Sequence, residues 1–163
     1  MNIFHQETIT AAKKLLTSCE IAGLSIGSAE SCTGGLLSGL LTSIPGSSRV
    51  FDRGFVTYTN RSKHEMLGVS LKLLENKGAV SVEVAEMMAK GILDRTSVDL
   101  SIAITGIAGP GGGTKEKPVG LVFVAVERRN GVSTSESRIF KGNRDRVRLA
   151  SVDLAISMLM DLV

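Results

Sequence analysis

The stretch at residues 98–109, VDLSIAITGIAG, constrains the fold more than any other part of the chain. It is a nearly unbroken apolar run of strand length that ends in a glycine-rich loop. Such a run is the mark of a central strand buried on both faces, and covering both faces takes helices above and below the sheet. An α/β architecture is therefore expected.

The rest of the chain alternates accordingly. Over residues 4–22, Ile9, Ala12, Leu16 and Cys19, with Leu15 beside them, recur at helical spacing, and Gly23 closes the helix. Residues 24–30, LSIGSAE, read as a short strand. The glycines at 34 and 35 open a second helix through Leu41, which SIPGSS ends. VFDRGFVTYT, residues 50–59, is rich in β-branched and aromatic residues and reads as the second strand, and NRSKHEML as a short helix. Ser81 is a suitable N-cap, with Glu83 in the first turn, for a helix to about Asp94. After the buried strand come two β-rich runs around Arg129-Asn130-Gly131, a strong hairpin signal. A last helix from about Arg144 carries Val147, Ala150, Leu154, Met158 and Leu162 on one stripe. Strands alternating with helices plus one hairpin predict an α/β sandwich with a mixed sheet. At 163 residues, 1–163 is read as a single domain.

Composition narrows the function. With 43% hydrophobic and 21% charged residues the chain has the make-up of a self-folding globular domain. A net charge of +3 suits a phosphorylated small molecule better than DNA, and one Tyr with no Trp argues against base stacking. No nucleic-acid partner is expected. Two cysteines outside any C-x-x-C pair, no secretory leader and no membrane-length apolar run predict a cytoplasmic protein without a membrane partner. His5 and His64 lack neighbours in a metal-ligand spacing, so no metal is expected.

Open α/β sheets bind ligands beyond the carboxyl ends of their strands, which singles out the loops at 30–35, 60–64 and 105–113. The last, TGIAGPGGGTKEKPVG, can present backbone N–H groups to an anion. It lacks the Gly-Lys-Ser/Thr ending of a Walker loop.

AESCTGG, PGSSRVFDRGFVTYTNRSK, GAVS, ITGIAGPGGGTKEKPVG and FKGNRDRVR occur in the order and spacing of the CinA C-terminal-domain family. The chain resembles that family over about residues 5–160, and within it the nicotinamide-nucleotide amidohydrolases of the PncC type. The resemblance implies a compact three-layer α/β/α sandwich that needs no metal or cofactor. It also implies hydrolysis of nicotinamide mononucleotide to nicotinic acid mononucleotide and ammonia, within pyridine-nucleotide recycling, and a homo-oligomer. The larger N-terminal domain of some members, related to molybdopterin-binding folds, is not expected here, nor is any activity it carries. Asn143 stands where family members often carry Asp, which bears on a helix cap. The family's competence and damage-inducible label keeps a non-catalytic nucleotide-binding or regulatory module open as the alternative.

Hydrolysing a carboxamide needs a nucleophile, a base, donors for the oxyanion and a proton for departing ammonia. With His5 in the first helix, a Ser-His-Asp arrangement is not expected, whereas a Ser-Lys one remains open. A lysine serves as base when burial or a nearby cation lowers its pKa; Lys63, just past a strand, is the candidate for that condition, although taken alone a lysine there reads as a solvated helix-start residue. Ser48, in the PGSS turn, is expected to attack, Lys63 to take its proton, and Tyr58 to relay or orient that proton. Family-matched positions point to the same three, with Ser31 as the rival nucleophile. Cys32 lacks a source of thiolate stabilisation. Glu30 is expected to fix neighbouring groups or orient the base. Substrate contacts fall to Glu30, Thr33, Gly34 and Gly35 or to Thr105, Gly106 and Gly109, with the assignment between the two loops open. Arg144 and Arg148, about one helical turn apart, are both candidates for a phosphate.

Overall fold

The apolar run becomes strand β3 (Leu100–Gly106), whose residues are all buried up to Thr105. The computed structural model describes residues 3–129 and 131–163. In chain order the elements are α1 (Gln6–Ala22), β1 (Ile26–Glu30), α2 (Leu36–Thr42), a 3-10 turn (Ser47–Arg49) and β2 (Phe51–Val56). α3 (Asn60–Leu67), α4 (Leu71–Lys77) and α5 (Val82–Arg95) precede β3, and β4 (Leu121–Arg128), β5 (Ser133–Ile139) and α6 (Arg144–Met160) follow it.

The five strands lie in the order β2-β1-β3-β4-β5. β1 pairs in parallel with both β2 and β3, while β4 runs antiparallel to β3 and β5 antiparallel to β4, so the sheet is mixed. On one face Leu100, Ile102, Ile104, Val122, Val124 and Val126 pack into the core formed with α1, α2 and α6. On the other, Ala29, Ala103 and Ala125 meet Val84, Ala85, Met88 and Ile92 of α5. Small side chains on this face let α5 settle close to the sheet. A Cβ at Gly27 would lie 2.7 Å from Ile92 Cγ2, so the closest approach requires glycine there.

This is the expected α/β/α sandwich, with differences at the level of single elements. β1 and β2 are shorter than the runs that signalled them. The stripe of α6 shifts toward Val147, Ser151, Val152, Ala155, Ile156, Met158 and Leu159, leaving Ala150 and Leu154 half-buried. α4 has no counterpart in the sequence reading: it has seven residues and buries only Leu74, so it carries almost no periodic signal. The Asn130 turn lies outside the described residues, while the strands flanking it pair down to Glu127 and Ser133. Among the described residues no helix is long and apolar enough to cross a membrane.

Because β1, β2 and β3 run parallel, their carboxyl ends meet at one edge of the sheet. The pairing continues past the strands, with Ser31 N–H donating to Ile104 O at 2.9 Å and Thr57 N–H to Glu30 O at 2.9 Å. Residues far apart in sequence are thereby brought to one place.

Candidate functional site

The turn from β1 into α2 is held by its own acid. Glu30 is fully buried, and its carboxylate accepts from Gly35 N–H (3.0 Å), Leu37 N–H (3.1 Å), Ser38 N–H (2.8 Å) and the Ser38 hydroxyl (2.8 Å). These donors are the ones a helix start leaves without partners. Gly34 and Gly35, at φ +58° and +97°, let the chain double back so that one carboxylate reaches them all. From the other side Arg148 donates to Cys32 O (3.2 Å) and Thr33 O (2.9 Å), and Gly34 N–H to Ser31 O (3.1 Å). The loop bearing Ser31 is thus braced at every peptide from 31 to 33. Glu30→Ala is expected to lower the free energy of unfolding by about 3 kcal/mol, since it strands several buried donors, as urea denaturation would measure.

Lys63 approaches from α3, whose N-cap Thr59 forms a reciprocal pair of hydrogen bonds with Ser62. One turn further on, Lys63 is fully buried, and its Nζ donates to Ser31 Oγ at 2.8 Å and to Thr57 O at 2.7 Å. Both partners are neutral. Among the described residues no carboxylate pairs with this ammonium. Burial lowers its pKa from 10.5 to about 8, because desolvation disfavours the charged form and outweighs the opposing influence of nearby Cys32. Near neutral pH a fraction of Lys63 is therefore a free amine within reach of a hydroxyl. Burial acts oppositely on the Cys32 thiol, pushing it up to about 11 and keeping it protonated.

Beside this pair opens a cleft of about 260 Å³, lined by Ser31, Cys32, Tyr58, Thr105, Gly109 and Arg144 among others. Ser31, 8% exposed, reaches it from the β1 end. The Tyr58 hydroxyl accepts from Arg144 Nη2 at 2.9 Å, and Arg144 Nη1 donates to Gly109 O at 2.8 Å. Thr105 donates its hydroxyl to Ala79 O at 2.8 Å, joining the floor of the cleft to the segment before α5.

Several sequence expectations change in this geometry. Ser48 does not meet Lys63. It is exposed in the 3-10 turn before β2, whereas Lys63 follows the far end of that strand, and the six residues between span about 20 Å. The hydroxyl on Lys63 belongs to Ser31 instead. Tyr58 does not orient the lysine either: it is 58% exposed and bonded to Arg144, and the Thr57 carbonyl is what holds Nζ. Glu30 and Thr33, expected as substrate contacts, are wholly buried, and the N–H groups of Gly34 and Gly35 are occupied within the loop. Arg148 grips the back of the loop and lines a separate groove with Leu36 and Asp145. Thr105, Gly106, Gly109 and Arg144 do line the cleft. Thr57 escaped the sequence reading because it acts through a backbone carbonyl, which no side-chain pattern announces.

Comparison with known proteins agrees with this architecture. The sequence profile of the CinA C-terminal domain matches residues 8–163. The chain is 45% identical to a CinA-like protein of Syntrophotalea carbinolica over 159 residues, covering 94% of this chain and 37% of that protein. It is 50% identical over 121 residues to the nicotinamide-nucleotide amidohydrolase PncC of Enterobacter agglomerans, covering 74% of each. The crystal structure of the competence/damage inducible protein CihA from Agrobacterium tumefaciens superposes with a TM-score of 0.96 at 48% identity, over 99% of both chains. Several of the curated relatives are longer proteins, of which the chain spans about a third.

Proposed function

The chain belongs to the CinA C-terminal domain family, and on that premise we propose that it hydrolyses the carboxamide of nicotinamide mononucleotide, with Ser31 as nucleophile and Lys63 as base. The observation that carries this reading is the 2.8 Å contact between Lys63 Nζ and Ser31 Oγ inside a site that lowers the lysine's pKa. A purely structural lysine is best served by a carboxylate; this one is given neutral acceptors and kept available for proton transfer.

The chemistry follows from those two groups. With Lys63 neutral, the Ser31 hydroxyl donates to Nζ, and Oγ attacks the carboxamide carbon as its proton passes to the amine. The carbonyl oxygen becomes an oxyanion. Cys32 N–H, in the peptide that follows Ser31, is a candidate donor: the carbonyl of its peptide unit is turned toward Gly34 N–H, so the N–H points the other way, and among the described residues it donates to no carbonyl. Collapse of the tetrahedral adduct breaks the C–N bond, and the Lys63 ammonium gives its proton to the leaving nitrogen, which departs as ammonia. A Ser31 ester remains. Lys63, neutral again, takes a proton from water, whose oxygen attacks the ester; breaking the C–O bond returns the proton to Ser31 and releases nicotinic acid mononucleotide. The Thr57 carbonyl keeps Nζ aimed throughout.

Ammonia release from nicotinamide mononucleotide by the purified protein tests the reading, together with an acid quench that traps the acyl group on the peptide containing Ser31. Release with a Ser31-linked adduct is the expected result. No release from folded protein between pH 6 and 9 would overturn it and favour the nucleotide-binding module.

A further inference from the structure

We propose that Arg144, together with the backbone N–H groups of Gly111 and Gly112, forms an anion subsite of the cleft that takes a phosphomonoester; its identity as the substrate's own 5′-phosphate rests on the amidohydrolase reading. Arg144 lines the cleft, yet both of its hydrogen-bond partners among the described residues, Gly109 O and the Tyr58 hydroxyl, are neutral, and it forms no ion pair with them. Among the described residues no Asp or Glu lines this cleft. Its charge is thus fixed in direction by two hydrogen bonds and left electrically unmatched, with Nε–H and the remaining Nη–H groups available to a dianion.

The glycine-rich loop supplies the second set of donors. Gly111 and Gly112 line the same cleft, and among the described residues their N–H groups donate to no acceptor. A Cβ at Gly111 would meet nothing within 4 Å, so open space adjoins the backbone there, and Gly112 takes φ +86°. Lys117 secures the loop by donating to Lys77 O (2.6 Å) and Val80 O (2.7 Å), and Thr114 N–H closes its base on Lys117 O (2.8 Å). The donors are therefore presented by an anchored loop rather than a loose one.

The other candidates are closed by their own contacts. The start of α2, where an anion might otherwise sit, is already filled by the Glu30 carboxylate, which takes its N–H groups and would repel a phosphate. Arg148 has its guanidinium on the Cys32 and Thr33 carbonyls and faces Asp145 at 3.9 Å in a different groove. Among the described residues, the Arg144 side of the cleft joins a cation that forms no ion pair to the Gly111 and Gly112 peptide donors that have no acceptor.

The test compares nicotinamide mononucleotide with nicotinamide riboside on the wild-type protein, Arg144→Gln and Arg144→Lys, by ammonia release and by calorimetric binding of the acid products of both. Arg144→Gln is expected to lower kcat/KM for the mononucleotide about 100-fold, mainly through KM, while the riboside changes less than about threefold. Arg144→Lys should recover about a tenth or more of the wild-type value. Inorganic phosphate should inhibit competitively against the mononucleotide. Equal losses for both substrates, no loss for either, or non-competitive inhibition by phosphate would overturn the subsite and leave the amidohydrolase reading standing. If wild type releases no ammonia from either substrate, that reading falls instead. Phosphate-dependent binding of the mononucleotide that Arg144→Gln abolishes would then still support the subsite, and binding indifferent to the substitution would overturn it.

Discussion

Ser31→Ala is expected to lower ammonia release from nicotinamide mononucleotide by about 10⁴-fold or more, while Ser48→Ala leaves it within about twofold. The contrast follows from position alone. Ser31 Oγ sits 2.8 Å from Lys63 Nζ, a fully buried amine, and Ser48 lies on an exposed turn at the opposite end of β2. Removing the attacking oxygen abolishes the acyl-enzyme route and leaves only what binding and the oxyanion donor contribute to attack by water. Ser31→Ala should fold normally, because the loop is held by Glu30, Arg148 and its own peptides rather than by the Ser31 hydroxyl. Urea denaturation within about 1 kcal/mol of wild type checks that point. Activity kept in Ser31→Ala and lost in Ser48→Ala would return the attack to Ser48.

The second large effect is a dependence on pH. A base must be unprotonated to act, so kcat/KM should rise with a slope of one as pH increases and level off above about 8, where Lys63 has lost its proton. Lys63→Met should remove this rise together with activity, by about 10⁴-fold or more. Stability should follow the same group. The folded pKa, about 8, lies below the unfolded value of 10.5, so between those limits the unfolded chain binds more protons than the folded one. Stability contributed by Lys63 is therefore absent below about pH 8 and grows toward pH 10.5, by about 3 kcal/mol in all. Chemical denaturation of wild type against Lys63→Met measures it as a difference that opens over that window. At pH 7 the methionine variant should be as stable as wild type or more so, since it buries no charge. A rate independent of pH from 6 to 9 in the wild type would remove Lys63 from the role of base.

Much of the fold is legible in the sequence. The apolar run of β3 demanded a covered central strand, and the alternation around it supplied the layers. Ser31 and Lys63 were both visible as reactive types near strand ends. Their pairing was not. Ser48 stands closer to Lys63 along the chain, but a strand lies between them, and an extended backbone separates its two ends by its full length. Ser31, thirty-two residues from Lys63, reaches it because β1 and β2 lie side by side in parallel. α4 was missed for a simpler reason, since one buried leucine makes no pattern.

By itself, the sequence determined the α/β layering, a shortage of histidine that argues against a Ser-His-Asp site, and the small set of hydroxyls and amines that could act. Only the tertiary structure decided which hydroxyl meets the amine, that the amine is buried away from water and from any carboxylate, and which arginine lines the cleft. Composition and periodicity report how each segment buries its own side chains. Distances and solvation at a site formed by three strand ends depend on sheet order, which no single segment encodes.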